Sequence, residues 1–263
     1  AIGFGGYVSA PVMLAAHHKH VATIIHEQNS IVGVSNKMVA KYMDAIVICY
    51  EKCFEEFGRE KTRLLGNPRA SNAVHAKFDK DYFLSLGLSL HKPLILVVMG
   101  SLGSTSVNAI MKDALPTVSD RYQILFVTGK NNYEEMRKQI HAPHIKVVDY
   151  VKQLDIMAHV DLIVCRAGAT TAAEITALGT PSILVPSPYV AHNHQFYNAS
   201  VLVDHKAAVM LEEKDLNAAA LSKAIDQIMS DDLLRASMRS ASLALGKPNA
   251  SEDILNWCDE MKR

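Results

Sequence analysis

The chain has 263 residues, and its 27 Lys plus Arg balance 27 Asp plus Glu, so no net field draws it toward nucleic acid or acidic substrates from a distance. A hydrophobic content of 49% suits one large or two ordinary packed domains. The longest apolar runs, such as Leu94 to Met99, fall far below the ~20 residues that span a bilayer, which limits membrane contact to the periphery. Cys49, Cys53, Cys165 and Cys258 have no metal-ligand spacing and read as reduced thiols of a cytosolic chain.

Strand-like and helix-like segments alternate, the pattern of parallel sheets covered on both faces. Ile2 to Phe4 reads as the tail of a strand running into a glycine turn, as if a domain began in its middle. A helix over Ala10 to His20 follows, and its terminal His17, His18 and His20 read as a solvated helix end rather than metal ligands. Next come a strand at Val21 to Ile25, a helix at Val34 to Tyr42, and strands at Ala45 to Ile48 and Thr62 to Leu65. Gly66, Asn67 and Pro68 break the pattern and mark a domain hinge.

The second series has strands at Leu94 to Met99, Gln123 to Val127, Ile145 to Val148, Asp161 to Cys165, Ser182 to Val185 and Ala208 to Leu211, enough for a complete doubly wound domain. Leu221, Ala224, Ile225 and Ile228 form one apolar stripe at helical spacing. A last helix, Ser251 to Lys262, is expected to bury Ile254, Leu255, Trp257 and Cys258. The expected division is 1–66 for a partial first domain and 67–248 for the second, with 249–263 packing back on the first.

Glycine turns stand at strand exits, at Gly3 to Pro11 and Gly100 to Ser104, where backbone N–H groups can approach an anion. After the strand ending at Cys165, Gly168 frees the backbone, and Thr170 and Thr171 start a helix Thr171 to Leu178 whose unpaired amides suit a diphosphate. Glu174 is placed in that first turn. On the residues alone it is either a partner of the helix dipole or an acceptor for two sugar hydroxyls. His26-Glu27-Gln28-Asn29 crowd polar groups at another strand end, which fits either a site or an ordinary polar loop.

Seven stretches together resemble the MurG family, two-domain GT-B glycosyltransferases of peptidoglycan synthesis: GFGGYVSAP at 3–11, HEQN at 26–29, GNPR at 66–69, GSLGS at 100–104, RAGATTAAE at 166–174, GTPSILVPSPY at 179–189 and HNHQFYNA at 192–199. The resemblance implies two Rossmann-like α/β domains, the first incomplete. It implies an inverting transfer of GlcNAc from UDP-GlcNAc to the C4 hydroxyl of the MurNAc unit of lipid I, giving lipid II, at the cytoplasmic face of the bacterial membrane and against its anionic inner leaflet. No cofactor, metal or nucleic acid is implied.

By the same resemblance Ser101 touches the diphosphate, Val151 reads the uracil edge and Glu174 holds the ribose. Ala169, Thr170, Thr171, Ala172 and Ala173 line the donor, and His194 and Gln195 bond the GlcNAc hydroxyls. Asn29 reaches the sugar from the first domain, and Arg69 lies near the donor. Gly5, Gly6 and Tyr7 fall on the acceptor side, with His26 and Glu27 as the visible catalytic candidates.

The chain departs from the family pattern at Met99 and Leu102, where GGSQGA is usual, and at Arg69, one position earlier than in GNPVR. About a hundred residues of family length, including a glycine-rich loop with a His, would fall ahead of Ala1. Donor binding with poor turnover by the chain alone is therefore expected. Two other readings share the donor: a UDP-sugar-binding half that needs a partner chain, and a UDP-GlcNAc 2-epimerase.

Overall fold

Branched apolar runs buried on both faces define two parallel sheets. The computed structural model describes residues 1–100 and 104–261. The first sheet holds β1 (Ile2–Gly3), β2 (Ile24–Glu27), β3 (Ala45–Ile48) and β4 (Thr62–Leu64) in the order β1-β2-β3-β4. Its helices are α1 (Ser9–His18), α2 (Val34–Val39) and α3 (Phe54–Phe57). α4 (Pro68–His75) and α5 (Lys80–Ser85) lead to the second sheet.

That sheet holds β5 (Leu94–Val98), β6 (Gln123–Val127), β7 (Ile145–Val148), β8 (Val160–Cys165), β9 (Ser182–Leu184) and β10 (Ala208–Met210). Their order is β10-β9-β8-β5-β6-β7, all parallel. The chain winds outward from β5 in one direction and from β8 in the other, so the topological switch point lies between them, where open α/β sheets receive ligands. The covering helices are α6 (Thr105–Ala114), α7 (Tyr133–Gln139), α8 (Gln153–Met157), α9 (Ala169–Leu178), α10 (His194–Asp204), α11 (Ala218–Ser230), α12 (Asp232–Leu245) and α13 (Ala250–Glu260).

Period-two alternation sorts the side chains of the second sheet into two cores. Ile95, Val97, Phe126 and Val164 pack with Val107 and Met111 of α6 and with Leu221, Ile225 and Ile228 of α11. Leu94, Leu96, Leu125 and Ile163 face the other way, toward Ile175 of α9, Leu202 of α10 and Ile156 of α8. In the first sheet Ile25, Ile46 and Ile48 meet Met13 of α1, while Ile24, Ala45 and Val47 meet Ile254 and Trp257 of α13. The final helix thus covers the second face of the first sheet.

Several elements differ from the sequence-based expectation. Val21 is 47% exposed, and pairing with β1 begins at Ile24, so β2 runs to Glu27 and takes His26 and Glu27 into the sheet instead of leaving them in a loop. Thr23 is held in front of the strand, its N and Oγ1 both donating to Asp44 Oδ2 at 2.8 Å. Leu255 is 62% exposed because α13 turns Ile254, Trp257 and Met261 toward the sheet at helical spacing, and a residue one step past Ile254 is carried off that face.

The expected hinge starts a helix. Asn67 caps α4 through its Oδ1, which accepts from Arg69 N at 3.0 Å, and Pro68 takes the first helical position, where its missing N–H costs nothing. Gly66, at φ +85°, has no room for a Cβ, which would stand 2.4 Å from Lys247 Cβ.

Trp257 also stacks under the Arg63 guanidinium, 4.5 Å from the ring centroid. Truncation to Ala is expected to cost roughly 3–5 kcal/mol, read as a lower urea midpoint by circular dichroism. A midpoint within error of the parent would show that α13 does not hold the first sheet.

Candidate active site

At the end of β5 the chain turns through Gly100, at φ +87°, toward Ser104 and the start of α6. Ser101 lies outside the described residues. At the end of β8 stands Arg166, whose Nη2 donates to Ser104 Oγ at 3.0 Å and whose Nη1 donates to Val185 O at 3.0 Å. Nη1 is also 2.8 Å from Glu213 Oε2, and both side chains are 12% exposed. Glu213 Oε1 in turn accepts from Ser106 Oγ at 2.8 Å. This mostly buried pair ties together the two loops that flank the switch point.

α9 starts at Ala169, because Gly168, with extended backbone, takes the N-cap position in place of Thr170. Glu174 is therefore in the second turn, not the first, and its reading as a dipole partner falls away. It is 3% exposed. Arg69 Nε (2.9 Å) and Nη2 (2.5 Å) both donate to Glu174 Oε1, and Gln153 Nε2 donates to Oε2 at 3.1 Å. Burial pushes the Glu174 carboxyl above the ordinary carboxylate range, against the pull of the Arg69 guanidinium.

A cavity of about 840 Å³ opens over this switch point. It brings together six of the expected donor residues, Arg69, Val151, Thr170, Thr171, Glu174 and Gln195. Gln195 is oriented through Oε1, which accepts from Ser187 N at 2.9 Å. Lys152, Gln153 and Arg166 also line the cavity. Ala169, Ala172 and Ala173 do not; they face a separate crevice of about 420 Å³ behind α9, against Ala70 of α4 and Tyr50 of the other domain.

A third cleft, of about 870 Å³, collects Gly5, Gly6, Tyr7, Asn29 and His194. Here the segment before α10 overhangs the first domain, with His192 and Asn193 in left-handed backbone at φ 54° and 51°. His194 Nδ1 lies 2.9 Å from Ala191 O. Asn29 and His194 thus stand on the acceptor-side cleft instead of lining the donor cavity.

The two visible catalytic candidates are both held by hydrogen bonds within the fold. His26 is 1% exposed, and its Nε2 lies 3.0 Å from Gly66 O. A carbonyl only accepts, so Nε2 carries the hydrogen, and Nδ1 is buried without a partner. Burial lowers the pKa of the ring. Glu27 accepts from Asn29 N (3.0 Å) through Oε1 and from Gly33 N (2.8 Å) and Asn36 Nδ2 (2.9 Å) through Oε2. It shapes the loop that follows β2 and also lines the third cleft, whereas His26 does not.

A residue without an assigned role in the sequence reading links the halves. Asn198 of α10 is fully buried. Its Nδ2 donates to Asn29 Oδ1 and Ala167 O, each at 3.2 Å, and its Oδ1 accepts from Ser30 N at 2.9 Å and Ser30 Oγ at 3.0 Å. The signal available in sequence was its place in the HNHQFYNA stretch. Arg166 likewise opened a recognised stretch, whereas nothing distinguished Gln153.

Residues 94–254 match the model of the glycosyltransferase family 28 C-terminal domain, and residues 1–48 that of the family 28 N-terminal domain. The chain is 42% identical to the UDP-N-acetylglucosamine–N-acetylmuramyl-(pentapeptide) pyrophosphoryl-undecaprenol N-acetylglucosamine transferase of Limosilactobacillus reuteri, over 97% of its own length and 71% of the relative's. With the Bacillus licheniformis protein of the same description the identity is 41%, over 99% and 73%. Among solved structures it resembles Acinetobacter baumannii MurG at a TM-score of 0.82 and 25% identity, covering 98% of this chain and 72% of that one. The chain belongs to the MurG family, GT-B glycosyltransferases that move GlcNAc from UDP-GlcNAc to lipid I to form lipid II.

Proposed function

We propose that the 840 Å³ cavity is the donor site and that its residues divide UDP-GlcNAc among them, a reading carried by one cavity that holds the start of α9, the side chains of Arg69, Lys152 and Arg166, and the buried carboxylate of Glu174. The N–H groups at Thr170 and Thr171, the Gly100 loop with Ser101, and the cationic side chains of Arg69 and Lys152 take the diphosphate, with Arg166 holding the loop at Ser104. Glu174 accepts from the ribose hydroxyls, Val151 meets the uracil edge, and Gln195 turns its amide to the sugar. His194 and Asn29 close the sugar from the acceptor side, through Asn198 in the case of Asn29.

The C4 hydroxyl oxygen of lipid I forms a bond to the anomeric carbon on the face opposite the bond to the diphosphate. That bond breaks, its electron pair leaves with UDP, and the hydroxyl proton passes to a base. Charge grows on the diphosphate as the bond lengthens, and preorganised donors stabilise it there. Of the two candidate bases, Glu27 lines the acceptor-side cleft and His26 is buried behind it.

The diphosphate is held without a metal in this reading, since amides and cations already supply the compensating charge. Transfer to a lipid I analogue is expected to continue at an unchanged rate in excess EDTA. Loss of activity with EDTA and its recovery with Mg²⁺ would reject this.

The acceptor enters through the third cleft, whose wall includes the exposed apolar side chains Tyr7 (97%), Val8 (72%), Val12 (62%), Val34 (64%) and Met38 (58%). Lys37 and Lys41 stand beside them on α2 and the turn after it. Apolar residues bordered by cations suit the anionic inner leaflet, and among the described residues no helix is long and apolar enough to cross a membrane. Val8→Glu with Val12→Glu is expected to abolish co-sedimentation with phosphatidylglycerol vesicles while UDP affinity is retained. Unchanged sedimentation would place membrane contact elsewhere.

Because Glu174 holds its proton to a higher pH than an ordinary carboxyl, acidification removes the ribose acceptor early. UDP affinity is expected to fall as pH drops through a value above the usual glutamate pKa of about 4.3. Calorimetry across pH checks this: Glu174→Gln should bind UDP weakly and lose that acid limb, whereas an unchanged limb would assign the titration to another group.

A further inference from the structure

Glu174 already accepts three hydrogen bonds before any donor arrives. A carboxylate offers about four lone-pair positions, and here two N–H groups of Arg69 share Oε1 while Gln153 holds Oε2. With about one position left, two ribose hydroxyls cannot both be added unless Arg69 or Gln153 gives way. Arg69 is also the partner able to move: its side chain is 44% exposed against 5% for Glu174, and it sits at the second residue of α4, on the rim of the cavity. Moving it away leaves a buried carboxylate without its cation, which is costly unless the ligand compensates both groups.

Only a ligand carrying ribose and diphosphate together compensates both. Uridine offers hydroxyls to Glu174 but leaves the displaced guanidinium in water. Pyrophosphate attracts the guanidinium but strips Glu174. UDP supplies both at once, within one cavity that holds Arg69, Gly100 and the start of α9. We propose that Arg69 is a specificity-determining residue that masks Glu174 at rest and makes ribose binding conditional on the diphosphate, by exchanging the carboxylate for the phosphate oxygens. The proposal rests on the reading of Glu174 as the ribose acceptor. The guanidinium matters because two of its N–H groups together fill Oε1 of Glu174, and the same planar edge can instead donate to phosphate oxygens.

The test measures competition of uridine, UDP and 2′,3′-dideoxy-UDP against a fluorescent UDP in the parent protein, Arg69→Met and Arg69→Lys. A masking residue predicts changes of opposite sign: in Arg69→Met uridine competes about threefold better and UDP about tenfold worse. Arg69→Lys, which keeps the charge without the fork, is expected to shift both in the same directions by less, and it carries the test if the Met variant does not fold. Uridine competing no better than in the parent, with UDP weakened, would overturn the exchange and leave Arg69 a plain phosphate ligand. A parent protein that binds the dideoxy compound as tightly as UDP would remove the ribose reading itself, and the proposal with it. Discrimination against the dideoxy compound, with no gain for uridine in either variant, would overturn the exchange alone.

Discussion

The amide of Asn198 is the interaction on which the arrangement of the two half-sites depends. Both of its N–H groups and both carbonyl lone pairs are used, toward Asn29 and Ser30 after β2 on one side and Ala167 after β8 on the other. Those are the carboxyl ends of the two sheets. An amide buried in this way is sensitive to small displacements, because a shift that breaks one bond strands a desolvated donor or acceptor at about 1–3 kcal/mol. All four bonds are satisfied together in the observed position of the domains. Since α10 also carries Gln195 toward the donor cavity and His194 toward the acceptor-side cleft, the same helix sets the distance between donor and acceptor.

Around that fixed point the charges are graded by burial. Arg166 and Glu213, both mostly buried, bind each other and hold Ser104 and Ser106 at the base of the phosphate loop. Glu174 is equally buried, but its cation reaches in from the solvent side. Breaking the first pair would strand two charges in a low dielectric, so it serves as scaffold. The second pair can open toward water on one side, and a ligand can compete for it. One cavity thus meets an arginine from each pair, Arg166 held in a mostly buried one and Arg69 in one that opens to solvent.

How much of this was legible in the sequence followed from burial. The strands of the second sheet were readable because a strand covered on both faces needs an unbroken apolar run, as in Leu94 to Val98 and Gln123 to Val127. β2 was misplaced because its carboxyl half carries His26 and Glu27, polar residues that a buried strand admits only where Gly66 O and the Asn36 amide satisfy them. Asn67-Pro68 read as a break, yet an Asn cap before Pro at the first position is equally a helix start, and packing on α9 and α13 decided between them. The donor residues were named through a resemblance of whole stretches. Their division between two cavities, and the occupation of Glu174 by Arg69, depend on contacts 105 residues apart in sequence that no local pattern encodes.

Asn198 registers a donor site in one domain against an acceptor cleft in the other. The most direct measurement compares UDP affinity with the rate of transfer to a lipid I analogue in Asn198→Ala. UDP contacts only the second domain in this account, so its affinity should stay within about twofold, while transfer should fall about a hundredfold, the cost of a displacement near 1 Å between reacting groups. Transfer at the parent rate, or equal losses in UDP affinity and transfer, would contradict it.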